Sequence, residues 1–412
     1  MRKPVLTIFY QFNPWFPTIG GIQTVIRYLI KYAPSEFDLR LVGTTETTST
    51  INTWQEAEFE GRAIKFFPLL TLQNDNVRSF VPTTIKYTSA LWRRTLASDF
   101  MHFHRIEPTI ATLKWSGDKT LFIHNDIQKQ IASKDQRKAV LWRYFPAGYF
   151  VTERLLINQF TQILSCNTDS VKLYQQRYPH LANQIEYLKN PVDNEIFYPL
   201  NREKRDEARR NYARQLGLSD HTRFVLFAGR LHPQKDPILL VRSIAALQQQ
   251  NVHLLIAGEG ELADEVQAEI CQLGLSKQIT MLGGVVQAKV AHLQQISSVF
   301  VLTSSYEGLP LVVLEALACG TPIVTTDCGE TPNLLCANSG IVCQERTSIA
   351  IAQAISKVLV RSDDYSVESC VRAASPYAVR NIVNTVYGDM WQRWEQRLLS
   401  NTPTSYAPAS KN

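Results

Sequence analysis

Glu307 and Glu315 flank the run Gly-Leu-Pro-Leu-Val-Val-Leu in a chain of 412 residues. The apolar stretch Ser298–Thr303 reads as a buried strand that ends just before Glu307. Pro310 suits the first turn of a helix, where its missing N–H would be unpaired anyway. Gly320 suits the far end, where a left-handed residue closes a helix. Glu307 is therefore expected in a strand-to-helix turn and Glu315 inside the helix that follows. Backbone N–H groups at such a turn attract polar ligands. Two carboxylates at different depths can accept hydrogen bonds from two groups of hydroxyls on one extended molecule. A nucleotide sugar offers both, on its ribose and its hexose.

Cations stand at a matching place upstream. Val-Leu-Phe-Ala-Gly229-Arg230-Leu-His-Pro-Gln-Lys235 opens with a strand pattern, and its glycine lets a ligand approach the backbone. Arg230 and Lys235 follow at the strand's C-terminal end, the ligand-binding edge of open α/β sheets. A guanidinium and an ammonium there suit a diphosphate. Two solvated cations in a loop would give the same sequence. Gly258-Glu259-Gly260 repeats the strand-then-glycine pattern, and Glu259 is a candidate for lining a base pocket. Gly20-Gly21 joins the first strand to the first helix, where paired glycines can meet a phosphate or sugar or supply positive φ.

His124 ends the strand run Leu121-Phe-Ile. His102 and His104 alternate along a second stretch and are expected to share a face. A third ligand with matching spacing is not visible, so no metal is expected. No Asp-x-Asp run stands ready to hold a metal-bound diphosphate.

The elements needed to position these residues repeat along the chain. Apolar runs alternate with helix-period segments, which predicts an α/β protein with parallel sheets and crossover helices. The length exceeds one ordinary core and predicts two domains, 1–195 and 196–375. The boundary falls in the polar stretch that starts at 196. A long helix over 376–400 follows, and residues 401–412 read as disordered.

Composition excludes several classes. The 45% apolar content is that of a globular protein. No 18-residue apolar run predicts a membrane span, and the N-terminal run is too short for a secretory signal. Seven scattered cysteines without Cys-x-x-Cys spacing predict reduced thiols and a cytoplasmic setting. Residues 1–199 hold 23 Lys/Arg against 17 Asp/Glu, so the whole excess of +6 lies there. Within it, residues 86–154 carry 12 Lys/Arg against 6 Asp/Glu together with eleven Phe, Trp and Tyr, among them Trp92, Phe100, Phe103, Trp115 and Tyr149. That mixture reads either as a docking surface for anionic membrane or as a solvated face over ordinary core aromatics. Nucleic acid is not expected as a partner: the pI of about 8.8 is below the basic-domain range and no recognition motif appears.

Seven short motifs stand in one order: Gly20-Gly21-Ile22, Asn190-Pro-Val-Asp193, Gly229-Arg230 with Lys235, Ala257-Gly258-Glu259-Gly260, Glu307-Gly308, Glu315-Ala-Leu-Ala with Gly320-Thr-Pro322, and Cys328-Gly329-Glu330. In that order they resemble the family-four retaining glycosyltransferases (glycosyl transferases group 1). The resemblance is dense over 186–345 and sparse before it. It implies the GT-B fold: two Rossmann-like parallel-sheet domains facing across a cleft, with the C-terminal helix packed back on the N-terminal domain. It implies hexosyl transfer from a nucleotide diphosphate sugar to an acceptor hydroxyl, with no cofactor and no metal.

The resemblance also implies roles. Arg230 and Lys235 would hold the donor diphosphate, Glu315 the ribose and Glu307 the donor sugar. The backbone of Gly308, Leu309, Pro310 and Leu311 would meet further oxygens. His124 would sit near the anomeric carbon, with Gly20 and Gly21 closing over the donor. The acceptor side would be the N-terminal domain, with a glycan, a lipid-linked sugar or a small molecule as acceptor. Pro191, Glu261 and Cys328 depart from the family pattern, and the last leaves the sugar contacts of its loop open. A nucleotide-sugar epimerase of the same fold, and a non-catalytic nucleotide-sugar binder, are the alternatives.

Overall fold

The computed structural model describes residues 2–15, 20–48, 51–72, 81–124, 146–247, 249 and 251–400. The reading of residues 401–412 as disordered therefore falls outside it, as do Trp142, Tyr144 and Phe145 of the aromatic run.

Two sheets carry the chain. The first has eight strands, β1 (Val5–Phe9), β2 (Asp38–Thr45), β3 (Gln55–Phe59), β4 (Arg62–Thr71), β5 (Phe100–Phe103), β6 (Asp118–Ile123), β7 (Gln162–Ser165) and β8 (Ile185–Tyr187). Their order is β3-β4-β2-β1-β5-β6-β7-β8, parallel except for the hairpin partner β3. The second has six parallel strands, β9 (Arg223–Ala228), β10 (Val252–Ala257), β11 (Ile279–Gly283), β12 (Val299–Leu302), β13 (Ile323–Thr326) and β14 (Gly340–Cys343), in the order β11-β10-β9-β12-β13-β14. Near-continuous apolar strands such as Phe224–Ala228 fit this arrangement, because helices cover both sheet faces.

Strand order reverses between β9 and β12, so the chain segments leaving these two strands diverge and open a crevice at their C-terminal ends. Gly229 to Lys235 leave β9 there, and Thr303 to Pro310 leave β12. The glutamate-bearing helix runs Leu311–Ala318. Pro310 is its cap rather than its first helical residue, and Gly320 follows its end at φ 75°.

The lobes are joined twice. Asn190 to Asp193 crosses in one direction, and the chain returns near Ala378. The two crossings bond to each other: Val192 N–H donates to Tyr377 O at 2.8 Å, and Val379 N–H to Val192 O at 2.9 Å. Asp193 is fully buried and accepts from Lys31 Nζ and Tyr32 Oη, each at 2.8 Å, pinning the first crossing to the helix Gly21–Lys31. After the second crossing, the helix Val379–Ser400 lies on the N-terminal lobe. Tyr387 Oη donates to Leu29 O at 2.8 Å, and Arg393 pairs with Asp118 at 3.1 Å. The charged stretch after 196 becomes the helix Arg202–Gln215, whose Arg205 and Arg209 donate to backbone carbonyls of the second lobe.

Most aromatic residues of the 86–154 run belong to the core. Phe100, Phe103 and Tyr149 are buried, so for them the core reading holds; Trp92 is 60% exposed. All seven cysteines are free thiols.

Candidate active site

Hydrogen bonds to backbone carbonyls stitch the loops after β9 and β12 together. Ser305 N–H donates to Gln234 O at 2.8 Å, and Thr303 Oγ1 to Lys235 O at 2.7 Å. Gln234 Nε2 donates to Tyr306 O at 2.9 Å. Asp236, in the left-handed region at φ 45°, caps the next helix through Leu239 N–H and pairs with Arg346. These contacts fix the strand-to-helix turn that carries Lys235. Its ammonium lies 2.5 Å from Glu307 Oε1, with side-chain exposures of only 17% and 7%. Arg230 differs: it is exposed, and its guanidinium has no ion pair or hydrogen bond among the described residues. Lys235, paired with Glu307, and Arg230, whose guanidinium is unpaired among the described residues, thus both follow β9.

Gly258 lies against that edge from β10. A Cβ on it would fall 1.9 Å from Gly229 O, so the two strand ends touch backbone to backbone. Glu259 is exposed and accepts from Gly284 N–H at 3.0 Å.

Glu315 faces the N-terminal lobe. It lies close enough to Tyr28 for the two groups to interact electrostatically, and Tyr28 Oη accepts from Gln287 Nε2 at 2.7 Å. Burial pushes the Glu315 carboxyl up to about 8, from an ordinary value near 4.5. The group is therefore mainly protonated at neutral pH. The folded chain keeps a proton that the unfolded chain releases above about pH 4.5. Its contribution is fully present below that pH and is lost as pH rises towards about 8. At about 1.4 kcal/mol per unit, the loss is of the order of a few kcal/mol. Glu315→Gln should flatten this part of the stability–pH curve and be the more stable protein at pH 8, as read by denaturant unfolding across pH 5–9.

The N-terminal lobe meets this edge at Gly308. A Cβ there would lie 2.2 Å from the carbonyl oxygen of His124 and 3.1 Å from Cys166 Sγ. Asn190 Nδ2 donates to Leu309 O at 2.7 Å. Glu330 accepts from Thr168 N–H at 2.9 Å and from its hydroxyl, so a carboxylate of the second lobe sits at the start of the helix Thr168–Arg177 in the first. Gly21 approaches Leu311: its Cβ position is 3.8 Å from Leu311 Cδ1. Gly20 precedes the helix in extended backbone.

The His124 ring bonds to His104, Nε2 to Nδ1 at 2.8 Å. Burial and the nearby Arg105 lower His124 to about 4, so it is neutral at pH 7. His104 stacks on Phe122 at a centroid distance of 4.7 Å, and His102 meets the same ring tilted by 59° at 4.9 Å. Among the described residues no group of three or more His, Cys, Asp or Glu is placed to hold a metal ion.

The structure thus gathers Gly229, Arg230, Lys235, Glu307 and Gly258 at one sheet edge. It sets Gly308–Leu311 against His124 and the Gly21 helix, and turns Glu315 towards Tyr28. Glu259 lies at the rim, bonded to the β11 end. The motif order pointed to Asn190 and Glu330, but Tyr28, Gln287, Thr168 and His104 carry no sequence signal of their partners.

The family description "glycosyl transferases group 1" matches residues 208–374. An uncharacterized glycosyltransferase of Methanocaldococcus jannaschii is 32% identical over 155 residues, 37% of this chain and 40% of the relative. The chain spans 40% to 45% of the length of the first curated relatives it matches. In three dimensions it is similar to sucrose-phosphate synthase from Thermosynechococcus elongatus, with a TM-score of 0.76 at 16% identity over 97% of this chain and 100% of that one. It is also similar to Anabaena HepE in complex with UDP-glucose, with a TM-score of 0.69 at 15% identity over 95% and 100% of the two chains. These likenesses establish the GT-B fold.

Proposed function

With residues 208–374 forming a glycosyl transferases group 1 domain on the GT-B fold, we propose that the protein is a retaining hexosyltransferase that takes its sugar from a nucleotide diphosphate donor. The observation that carries this reading is the edge at β9 and β12: Arg230, whose guanidinium is unpaired among the described residues, on the same sheet edge as the Lys235–Glu307 pair at 2.5 Å. The UDP-glucose seen in the HepE structure supports a nucleotide sugar as donor.

Breaking the glycosidic bond leaves negative charge on the diphosphate oxygen. Arg230 and Lys235 would meet that charge with groups already in place, which is how preorganised electrostatics lowers a barrier. Glu307 would orient the hexose hydroxyls, and Glu315 would accept from the ribose. Because Glu315 holds a proton at neutral pH, accepting two hydroxyl donors in its ionised form would release that proton and tie donor affinity to pH. The closed seam at Gly308 would exclude water from the activated sugar.

Turnover with uridine, guanosine and adenosine diphosphate sugars tests the reading. NMR should show a product with the donor's anomeric configuration when an acceptor is present. Donor converted to an isomer without acceptor would indicate an epimerase. Thermal stabilisation without any turnover would indicate a binder.

The acceptor-side lobe carries the membrane part of the proposal: a cytoplasmic enzyme that docks peripherally on anionic lipid to reach a lipid-linked or envelope glycan. The helices Thr83–Trp92 and Pro146–Leu156 pack on the same turn, Glu107–Thr112. They expose Trp92 (60%), Val151 (60%) and Leu155 (70%) beside Lys86, Arg93 and Arg154. Each basic residue near an anionic surface adds about 1 kcal/mol. The protein should float with phosphatidylserine vesicles at low salt and not with phosphatidylcholine vesicles. Leu155→Glu should weaken flotation, and no flotation at low salt removes this part of the proposal.

A further inference from the structure

We propose that His104 is a positioning residue: it fixes the proton of His124 on Nδ1, so that His124 presents a hydrogen-bond donor at the seam between the lobes. The effect on turnover rests on the donor-binding reading above; the tautomer does not.

The pair is held in one geometry. The ring of His104 stacks on Phe122 with an interplanar angle of 14° and on His124 with 16°. Those stacks set the ring planes, and the 2.8 Å contact joins His104 Nδ1 to His124 Nε2. One proton lies between the two nitrogens, and two polarities are open: His104 donates, or His124 donates.

The far side of His104 decides between them. Its Nε2 is buried and has no partner among the described residues. If His124 donated, Nδ1 of His104 would be bare and its proton would sit on Nε2, leaving a buried N–H unpaired. If His104 donates, the orphan is a bare lone pair. Orphaned buried N–H groups are the rarer of the two in folded proteins. His104 therefore donates from Nδ1, His124 accepts at Nε2, and the proton of His124 is left on Nδ1.

A charged pair would erase this choice, since both nitrogens of an imidazolium carry protons. Burial and the neighbouring histidines hold His104 well below the usual histidine range, and burial with Arg105 does the same for His124. Both rings stay neutral where the enzyme would work.

The consequence lies at Gly308. The carbonyl oxygen of His124 already meets that residue across the seam, and Nδ1 of His124 has no partner among the described residues. An Nδ1–H can donate to a sugar or phosphate oxygen; a bare Nδ1 would repel the same oxygen.

The test uses the full chain labelled with 15N-histidine. Two-bond 1H–15N correlations in the wild type, with His124 assigned through His124→Asn, should give Nδ1–H and bare Nε2. A wild-type His124 protonated on Nε2 overturns the proposal whether or not any variant folds. His104→Phe keeps a ring in the stack and removes the donor. It should return His124 to Nε2–H and lower kcat at least about tenfold, the loss of one hydrogen bond to a charged or developing group. His104→Asn, whose amide nitrogen can stand in for Nδ1, should restore the tautomer and bring kcat back to within a few-fold. Retention of Nδ1–H in His104→Phe overturns the role of His104. The expected tautomer in a protein that transfers no sugar leaves the proposal standing and sinks the glycosyltransferase reading instead.

Discussion

Lys235→Ala should abolish most turnover and also weaken the fold, through two separable causes. The ammonium and Glu307 are 2.5 Å apart and both largely shielded from water. Removing the cation leaves a shielded carboxylate without its partner, which costs about 3–5 kcal/mol of stability for a buried pair. It also removes one charged hydrogen bond from the leaving diphosphate, worth about 2.7–4 kcal/mol in the barrier, or roughly 10²–10³ in kcat. The double variant Lys235→Ala/Glu307→Gln separates the causes, because it removes both charges. Its denaturant midpoint should return towards wild type while its kcat stays low. Arg230→Ala gives the complementary case: Arg230 is exposed and unpaired among the described residues, so its loss should leave unfolding unchanged and lower kcat. Folded Lys235→Ala with wild-type kcat would remove the diphosphate role from this edge.

This separation also explains which parts of the site could be read from sequence. The strand runs that end in Gly229, Gly258 and Thr303 are apolar on both faces, and such runs announce buried parallel strands. The chemistry-bearing residues follow them directly, so the sheet edge was legible from spacing alone. β3 carries little periodic signal, because Gln-Glu-Ala-Glu-Phe is mostly polar and forms an edge strand with an exposed face. The 86–154 run was legible as basic and aromatic, but composition cannot say which rings face inward. Phe100 and Phe103 do, and Trp92 does not. The seam was the least legible part. Thr168 meets Glu330 across 162 positions and Asn190 meets Leu309 across 119, distances at which no local pattern carries information. The motif order includes Asn190 and Glu330 but carries no sign that both are interlobe contacts. His104 was visible only as one of two alternating histidines, and its partner follows from β5 and β6 being neighbours in the sheet.

Gly308→Ala puts that seam to the test with a single methyl group. The three nearest atoms to a Cβ at this position are the carbonyl oxygen and carbon of His124 and the sulfur of Cys166, all in the other lobe. At 2.2 Å from the oxygen the methyl cannot be accommodated, and the nearest of these atoms is backbone, which cannot swing aside as a side chain would. The second lobe itself has no atom as close, so its own packing is preserved and Glu330 N–H can still donate to Gly308 O at 2.8 Å. The clash must be relieved by moving the lobes apart, at the cost of the Asn190–Leu309 and Thr168–Glu330 contacts. A misplacement of about 1 Å between catalytic groups and substrate can lower a rate about 100-fold. Gly308→Ala should therefore lose about two orders of magnitude in kcat. A nucleoside diphosphate that binds through Arg230, Lys235 and Glu315 of the second lobe should keep its affinity to within a few-fold by calorimetry. Small-angle scattering should show a more open particle. Wild-type kcat in Gly308→Ala would mean that the seam opens without consequence and that lobe closure at Gly308 is no part of catalysis. Loss of nucleotide affinity in step with kcat would place the damage inside the second lobe instead.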